Sequence, residues 1–272
     1  YVSSKENEFL NHDVNKLLEK YGEQQTIFPS ENYKEIFDYL GKNKFLSFII
    51  KKEYNGLKFS VNGMSSVLTK ISSKNPALGV SVMVPNSLGP AELLQKYGTE
   101  EQKNNYLPKL SNGEFVPCFG LTGPKNGSDA VGSNIDTGVL VKRDGKLYIK
   151  VDVNKRYITL APVSNLVGLA FNLEDPDNLL TDGVEGITVA LLEKGQYGLI
   201  QNSFHNPLNA GFPNGTLKGS LEIPIEQVIG GEQNVGNGWK MLMECLAEGR
   251  GICLPATANA SSKIASLGVF NY

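Results

Sequence analysis

The hydrophobic pattern of this 272-residue chain changes twice, and that change constrains the fold more than any other feature. Before about residue 117, apolar side chains recur at helical spacing, as they do at Leu10, Val14, Leu17 and Tyr21. From there to about residue 231, short apolar or alternating runs are bounded by Gly, Pro and Asp, which predicts strands. A strongly apolar stretch from Gly238 predicts a further helix. This order indicates an α+β fold, because a doubly wound parallel sheet needs strands and helices to alternate.

Composition and motifs exclude several classes of protein. The 26 basic and 28 acidic side chains give a net charge of −2. The chain has no basic block of the kind that would predict nucleic-acid binding. The three cysteines are odd in number and lack zinc-site spacing, so we expect no metal site, no disulfide framework and a cytoplasmic protein. No apolar run reaches the roughly 18–20 residues of a transmembrane segment. We find no Rossmann glycine fingerprint, P-loop or Ser/His/Asp triad.

Two short segments each place a threonine directly after an apolar run. Residues 119–129 read Phe-Gly-Leu-Thr-Gly-Pro-Lys-Asn-Gly-Ser-Asp, and residues 155–159 read Lys-Arg-Tyr-Ile-Thr. Taken alone, the first is also a normal polar turn between strands, and the second a normal strand face. Together they resemble the flavin-binding segments of the acyl-CoA dehydrogenase family, whose pattern is roughly F-x-L-T-E-P-x-x-G-S-D and then K-x-W-I-T. Further stretches in the order of that family are residues 85–89, 97–103, 107–108 and 249–251.

The resemblance implies the fold of that family. We expect an N-terminal α-helical domain over 1–117, a middle antiparallel β-barrel domain over 118–232 and the start of a C-terminal helical bundle over 233–272. Because the chain stops inside an apolar stretch and does not begin with methionine, we expect a piece of a longer protein whose C-terminal part is missing. Thr99 and Gln102 form a capping-box pattern, which predicts a helix that ends before Pro108.

The resemblance also implies FAD as the cofactor, lying extended between the β domain and the C-terminal helices. The residues expected to contact it are Phe119, Leu121, Thr122, Gly127, Ser128, Tyr157, Ile158 and Thr159. The two threonine hydroxyls can donate hydrogen bonds to the flavin ring as it gains negative charge on reduction. Tyr157 stands where the family usually has tryptophan, and Gly123 where many members have glutamate, so an ion pair made by that glutamate is in doubt here.

A second set of residues is expected to hold the acyl-CoA substrate: Ser128, Val80, Val84, Leu88, Glu248, Gly249 and Arg250. By resemblance, Ser128 binds the pantetheine arm and Arg250 lies near the thioester. Val80, Val84 and Leu88 share one helix face, which is either an ordinary core face or an apolar pocket floor that favours long chains by about 0.8 kcal/mol per CH₂. Glycine on both sides of Arg250 predicts close approach to the CoA arm, with a surface arginine as the alternative.

The catalytic base is unknown from this sequence. In most of the family that glutamate lies late in the C-terminal domain, so we expect it beyond Tyr272. Some members carry it on an earlier helix, immediately before the arginine, and that position is Gly249 here. Glu248 is one residue, or about 100° of helix, away and is a weak candidate. His12 and His205 have no sequence support as catalysts, and His205 is expected at the surface or a strand end.

The sequence therefore predicts FAD-dependent oxidation of medium- or long-chain fatty acyl-CoA to trans-2-enoyl-CoA in fatty-acid β-oxidation. The resemblance is greatest to the bacterial long-chain enzymes, and it implies electron-transferring flavoprotein as partner and a homodimer or homotetramer. The alternatives are an acyl-CoA oxidase that uses O₂ and a catalytically silent acyl-CoA or flavin-binding scaffold. A peripheral association with the inner membrane is an alternative to a purely cytoplasmic location, and we expect the 272-residue piece alone to bind FAD weakly.

Overall fold

The computed structural model describes residues 2–87, 89–127, 129, 135–180 and 185–272, and for residues 246–248 it describes the backbone only. In this part of the chain, the helices before the first strand are α1 (Ser4–Asn11), α2 (Asp13–Tyr21), α3 (Tyr33–Lys42), α4 (Val61–Lys74), α5 (Pro76–Met83), α6 (Ala91–Tyr97) and α7 (Glu100–Asn112). The strands are β1 (Pro117–Gly120), β2 (Thr137–Arg143), β3 (Lys146–Thr159), β4 (Leu166–Glu174), β5 (Gly186–Glu193), β6 (Ile200–Phe204) and β7 (Asn214–Pro224). A long helix, α8 (Gly238–Phe270), follows them, so the predicted α+β order is confirmed. None of the described helices is long and apolar enough to cross a membrane.

Helix α7 confirms its predicted start and contradicts its predicted end. The Thr99 hydroxyl accepts a hydrogen bond from the Gln102 N–H, and the Gln102 side chain accepts one from the Thr99 N–H, both at 3.1 Å. The helix does not stop before Pro108 but continues to Asn112. An internal proline costs about 3 kcal/mol. Leu107 and Leu110, on either side of Pro108, are buried, and their packing offsets that cost. Sequence spacing alone does not show this packing.

The strands form one mixed sheet. One edge of β4 pairs with β5 along its length, and its other edge pairs with β1 at one end and β2 at the other. The order then continues from β2 through β3 and β7 to β6. The pairings of β4 with β1 and with β2 are parallel and the other described pairings are antiparallel, so the expected antiparallel barrel is corrected to a curled, mixed sheet in the described strands. The long stretch of chain between β1 and β4 supplies the crossover that a parallel pair requires.

The apolar core is continuous between the helices and the sheet. A cluster of phenylalanine rings lies among α1, α4 and the 45–59 segment, with the Phe48 and Phe59 rings stacked at a centroid distance of 5.0 Å. Helix α8 packs against α4, α5, α6 and β5, and so joins both parts of the molecule. In its last turns it exposes Ile264, Leu267 and Phe270. The predicted domain boundaries after residues 117 and 232 stay predictions, although the change from helix to strand falls between α7 and β1.

Candidate active site

The first threonine motif folds into a tight turn after β1. The Gly123 N–H donates to the Asn126 carbonyl at 3.2 Å, and the Asn126 N–H donates back to the Gly123 carbonyl at 3.3 Å. The Asn126 side-chain amide also donates to the Leu121 carbonyl at 3.0 Å. Leu121 is half-buried beside the apolar cluster that contains α6 and the start of α8. These bonds hold Thr122 at the rim of the sheet, half-exposed.

The glutamate that many family members have would fit at Gly123 only if its neighbours shifted. A Cβ atom at this position would lie 2.8 Å from the Asn126 Oδ1 atom and 2.9 Å from the Asn154 carbonyl oxygen. Real Cβ atoms essentially never approach a backbone oxygen so closely, because the contact is inside the sum of the van der Waals radii. The turn therefore lies against β3 more closely than a side chain would allow.

The second motif contains a β-bulge. Lys155 pairs with Leu217 and Ile158 with Gly215, so β3 has one extra residue in this interval. Tyr157 has a left-handed φ of 59°. Regular alternation would put Lys155 and Tyr157 on the same face of the strand. The bulge instead buries Lys155 and Ile158 and turns Tyr157 outward, where its side chain is 51% exposed.

A backbone hydrogen bond brings the two motifs together. The Arg156 N–H, inside the bulge, donates to the Thr122 carbonyl at 3.0 Å. Thr159 is three residues further along the same strand, or roughly 10 Å if the strand is fully extended. Both threonines are half-exposed, and so lie at one accessible end of the sheet.

Polar groups surround Tyr157 at this end of the sheet. Its ring centroid lies 5.2 Å from that of His205, and the central carbon of the Arg156 guanidinium lies 5.1 Å from the Tyr157 centroid. The His205 Nε2 atom is 2.7 Å from the Thr216 hydroxyl oxygen. Thr159 of β3 pairs with Asn214 on the neighbouring strand β7. The buried Oδ1 atom of Asn214 has no hydrogen-bond partner among the described residues. We call Tyr157, Thr159, His205, Asn214 and Thr216 the polar face.

Sequence reasoning missed His205 and Asn214 as part of this site. His205 does lie where it was expected, one residue after the end of β6. Its contact with Tyr157 arises from the pairing of β6 with β7 and of β7 with β3. No short-range pattern shows such a contact, because the residues are far apart in the chain.

Two predicted flavin contacts have side chains that face elsewhere. Ile158 is 3% exposed and belongs to the main core, so only its backbone is available to a ligand. Phe119 is half-buried, and its ring packs over Gly168, where a Cβ atom would be 2.7 Å from the ring. Gly127 is exposed, and a Cβ atom added there would have no described atom within 4 Å, so this position faces open space. Ser128 lies outside the described residues.

The predicted acyl-pocket floor is only partly accessible. Val84 is 2% exposed and lies in the main core, which is the ordinary core-face alternative. Val80 is half-buried and packs against the same core. Leu88 lies outside the described residues.

Helix α8 approaches the chain just after α5 at Gly249. A Cβ atom there would be 2.9 Å from the Ser87 Cα and carbonyl oxygen atoms. Close contact with the chain itself therefore accounts for this glycine, and approach to a CoA arm stays a prediction. Gly251 has open space around it, and Arg250 is exposed. The side chain of Glu248 lies outside what the structure describes.

Another α8 carboxylate, Glu244, is engaged in an ion pair. Its Oε2 atom is 2.6 Å from the Lys96 Nζ atom and also accepts a hydrogen bond from the Tyr97 hydroxyl. The hydrogen bonds from Lys96 and Tyr97 lower the pKa of Glu244. Burial and the bond to Glu244 raise the pKa of Tyr97 to about 12. A carboxylate held in its ionised form in this way is a poor general base. Among the described residues, no group of three His, Cys, Asp or Glu side chains has the geometry to hold a metal ion.

Comparison with known proteins finds a matching family model, similar sequences and a shared fold. Residues 4–114 match the model of the acyl-CoA dehydrogenase N-terminal domain. A protein named HemX from Proteus mirabilis is 43% identical over 100 residues, which cover 36% of this chain and 59% of that protein. The short-chain-specific acyl-CoA dehydrogenase of Clostridium acetobutylicum is 29% identical over 245 residues, which cover 89% of this chain and 60% of that protein.

A solved structure shares the fold. Butyryl-CoA dehydrogenase from Megasphaera elsdenii superposes with a TM-score of 0.77 at 21% identity, over 100% of this chain and 69% of that one. At that identity the likeness shows the fold alone. The chain spans about 60% of the length of the curated relatives given above. Taken together, the domain model and the curated relatives show that this chain belongs to the acyl-CoA dehydrogenase family.

Proposed function

We propose that this chain forms the flavin-binding part of an FAD-dependent acyl-CoA dehydrogenase. The observation that carries the proposal is the hydrogen bond from the Arg156 N–H to the Thr122 carbonyl, 3.0 Å long, which joins the two threonine motifs beside an outward-facing aromatic ring. Family membership supports it independently, because the family consists of FAD-dependent oxidoreductases that act on acyl-CoA.

The residues at this end of the sheet fit a flat ring that accepts and donates hydrogen bonds. The Thr122 and Thr159 hydroxyls make no hydrogen bond to any residue that the structure describes. Asn214 supplies an unpartnered amide oxygen beside Thr159, and the half-exposed Tyr157 ring supplies an aromatic surface. Polar groups without partners in the described part of the chain, next to an exposed aromatic side chain, are typical of the lining of a cofactor site.

FAD, when bound, supplies the hydride acceptor for the substrate β-carbon. The chain's own residues would orient the ring through the Thr122 and Thr159 hydroxyls, whose donor positions are set by the turn and by β3. Tyr157 would cover one side of the ring and keep water from it. A carboxylate must take the α-proton, since a thioester α-proton is only weakly acidic. Glu248 remains the candidate within this chain, and a glutamate beyond Tyr272 is the expected base.

The proposal extends to the chain length of the substrate and to the electron acceptor. We propose medium- or long-chain fatty acyl-CoA as substrate, trans-2-enoyl-CoA as product and electron-transferring flavoprotein as electron acceptor. Among the described residues of the predicted pocket floor, the half-buried, apolar Val80 supports a long chain, whereas Val84 is in the core. Against it, the relative from C. acetobutylicum is short-chain specific, and the M. elsdenii enzyme acts on butyryl-CoA. The three free, buried cysteines support a reducing, cytoplasmic location.

Anaerobic titration of the FAD-loaded, full-length protein with butyryl-, octanoyl- and palmitoyl-CoA tests the function. We expect palmitoyl-CoA to bleach the oxidised-flavin absorption band most efficiently. Thr159→Val should slow this reduction by about 100-fold, as loss of a hydrogen-bond donor to a developing charge does in other enzymes. Thr137→Val, an exposed position of β2, is the matched control and should leave the rate unchanged.

The alternatives predict different outcomes in the same assay. A protein that binds FAD and acyl-CoA but shows no bleaching with any substrate would be a silent scaffold. Rapid release of hydrogen peroxide in air would indicate an oxidase. Fastest reduction by butyryl-CoA would contradict the chain-length proposal and leave the dehydrogenase proposal intact.

A further inference from the structure

Three consecutive residues of β3 hold both ends of the 122–136 segment. At its start, the Thr122 carbonyl accepts the Arg156 N–H at 3.0 Å. At its end, the Asp136 Oδ2 atom accepts the Asn154 N–H at 3.1 Å and lies 3.0 Å from the Lys155 Nζ atom. Thr122 and Asp136, the two described ends of this segment, are therefore held at one point of the sheet.

Lys155 is the unusual member of this arrangement. Its strand face continues that of Val151 and Val153, which are both buried. Its side chain is fully buried, and Nζ makes no well-directed hydrogen bond to the described residues, so Asp136 is its one charged partner there. A buried lysine is costly unless it is paired, and an apolar side chain would give the sheet more stability. Burial lowers the pKa of Lys155, and the Asp136 carboxylate opposes that change.

The lysine side chain connects the two ends of the segment. A Cβ atom at Gly120 would be 3.6 Å from the Lys155 Cγ atom, so the lysine stem runs beside the residue at the end of β1. Its charged end reaches Asp136, immediately before β2. One side chain thus contacts the chain on both sides of the turn that presents Thr122.

We propose that Lys155 and Asp136 are positioning residues, whose buried ion pair sets the place of the Thr122 turn for binding of the flavin. The inference rests on the proposed function, since FAD is the ligand whose fit the turn would control. Neither side chain is proposed to touch the reacting atoms. An ion pair at a buried lysine is suited to this role, because its attraction repays the desolvation of the charges only when their geometry is good.

The test compares the wild-type, full-length protein with the double variant K155M/D136N. This variant leaves no unpaired buried charge, and the amide oxygen introduced by D136N can still accept the Asn154 N–H, so the fold should be kept. We expect its Kd for FAD, measured by flavin fluorescence, to rise by about tenfold, or about 1.4 kcal/mol. Asp136→Glu keeps the charge but moves the carboxylate by one methylene group, and about a threefold rise is expected for it. The matched control is Glu222→Gln, which breaks the solvent-accessible Arg143–Glu222 ion pair, 2.9 Å long, in the same sheet.

Limited proteolysis gives a second readout without FAD. Lys125 lies exposed in the turn, and trypsin cleavage after it reports how often the turn opens. We expect cleavage at Lys125 to be about tenfold faster in the double variant, whereas cleavage after the exposed Arg143 should not change. A general loss of stability would accelerate both.

The outcomes separate this inference from the proposed function. A wild-type protein that binds no FAD would overturn the proposed function and with it the role in flavin binding. Suppose that the wild type binds FAD. If a variant that folds then has the same FAD affinity and the same rate of cleavage at Lys125 as the wild type, this inference alone is overturned.

Discussion

Glu6 offers the sharpest test of how the helical part of this protein is held together. Its side chain is buried, at 5% residue exposure, although it carries a charge. The carboxylate accepts the Ser3 N–H at 2.7 Å at the start of α1 and also the N–H of Ser60, the residue that caps α4. One carboxylate thus ties the beginnings of two helices together. Replacing it by Gln keeps the shape but removes the charge that both donors face.

The size of the effect follows from the pKa. Burial alone would raise the pKa of Glu6, but the hydrogen bonds from Ser3 and Ser60 outweigh burial and lower it from 4.5 to about 2. That difference corresponds to about 3 kcal/mol of preference for the ionised form in the folded state. Because Gln can still accept one hydrogen bond, we expect Glu6→Gln to cost about 2 kcal/mol at pH 7, or about 4 °C in Tm for a chain of this length.

The pH dependence has a definite sign. The folded-state pKa lies below the unfolded-state value, so the stabilisation is complete above about pH 5 and is lost as the pH falls towards 2. The stability difference between wild type and Glu6→Gln should shrink by about 0.8 kcal/mol, or roughly two fifths, between pH 7 and pH 4. Urea unfolding followed by circular dichroism at both pH values measures it. Glu8→Gln, on the exposed side of α1, is the matched control and should change stability by less than about 0.5 kcal/mol. An effect of Glu6→Gln no larger than the control, or one independent of pH, would refute the reasoning.

Three further predictions concern single positions. Gly249→Ala should lower Tm, because its Cβ atom would lie 2.9 Å from the Ser87 backbone. Gly251→Ala has open space around its Cβ atom and should stabilise the helix by up to about 1 kcal/mol. Equal shifts of Tm in the two variants would contradict this reasoning. Gly127→Ala should leave Tm unchanged, because a Cβ atom there has open space. If FAD approaches this position, the same change should weaken FAD binding about tenfold in a fluorescence titration. Unchanged affinity would remove Gly127 from the site. Asn86→Ala should lower the free energy of unfolding, measured in urea, by about 3 kcal/mol. The Asn86 side chain accepts a hydrogen bond from the Phe48 N–H and donates to the Phe45 and Val82 carbonyls inside the core. A loss below about 1 kcal/mol would show that those groups find other partners.

Local features of the chain were predictable where neighbours in sequence decide them. The capping box of Thr99 and Gln102 formed as its four-residue pattern predicts, and α8 begins at Gly238, where the apolar stretch starts. The Pro108 prediction was wrong because distant packing of α7, absent from the local pattern, outweighed a local penalty. The resemblance implies that both threonine segments contact FAD, which stays a prediction; the structure shows that the Arg156 N–H joins the second segment to the Thr122 carbonyl of the first.

The sequence by itself determined the order of helices and strands, the family and the two threonine motifs, because these follow from hydrophobic period and from short patterns. Only the tertiary structure decided how those motifs are presented. The extra residue between Lys155 and Ile158, set by pairing with β7, turns Tyr157 outward and Lys155 inward. The same pairing brings His205 beside Tyr157 and leaves the Asn214 oxygen next to Thr159. The Lys155–Asp136 ion pair joins residues from two parts of the sheet, so neither charge reveals its partner in the sequence. The physical reason is that strand register depends on long-range hydrogen bonding, and a shift of one residue reverses the face of every side chain that follows.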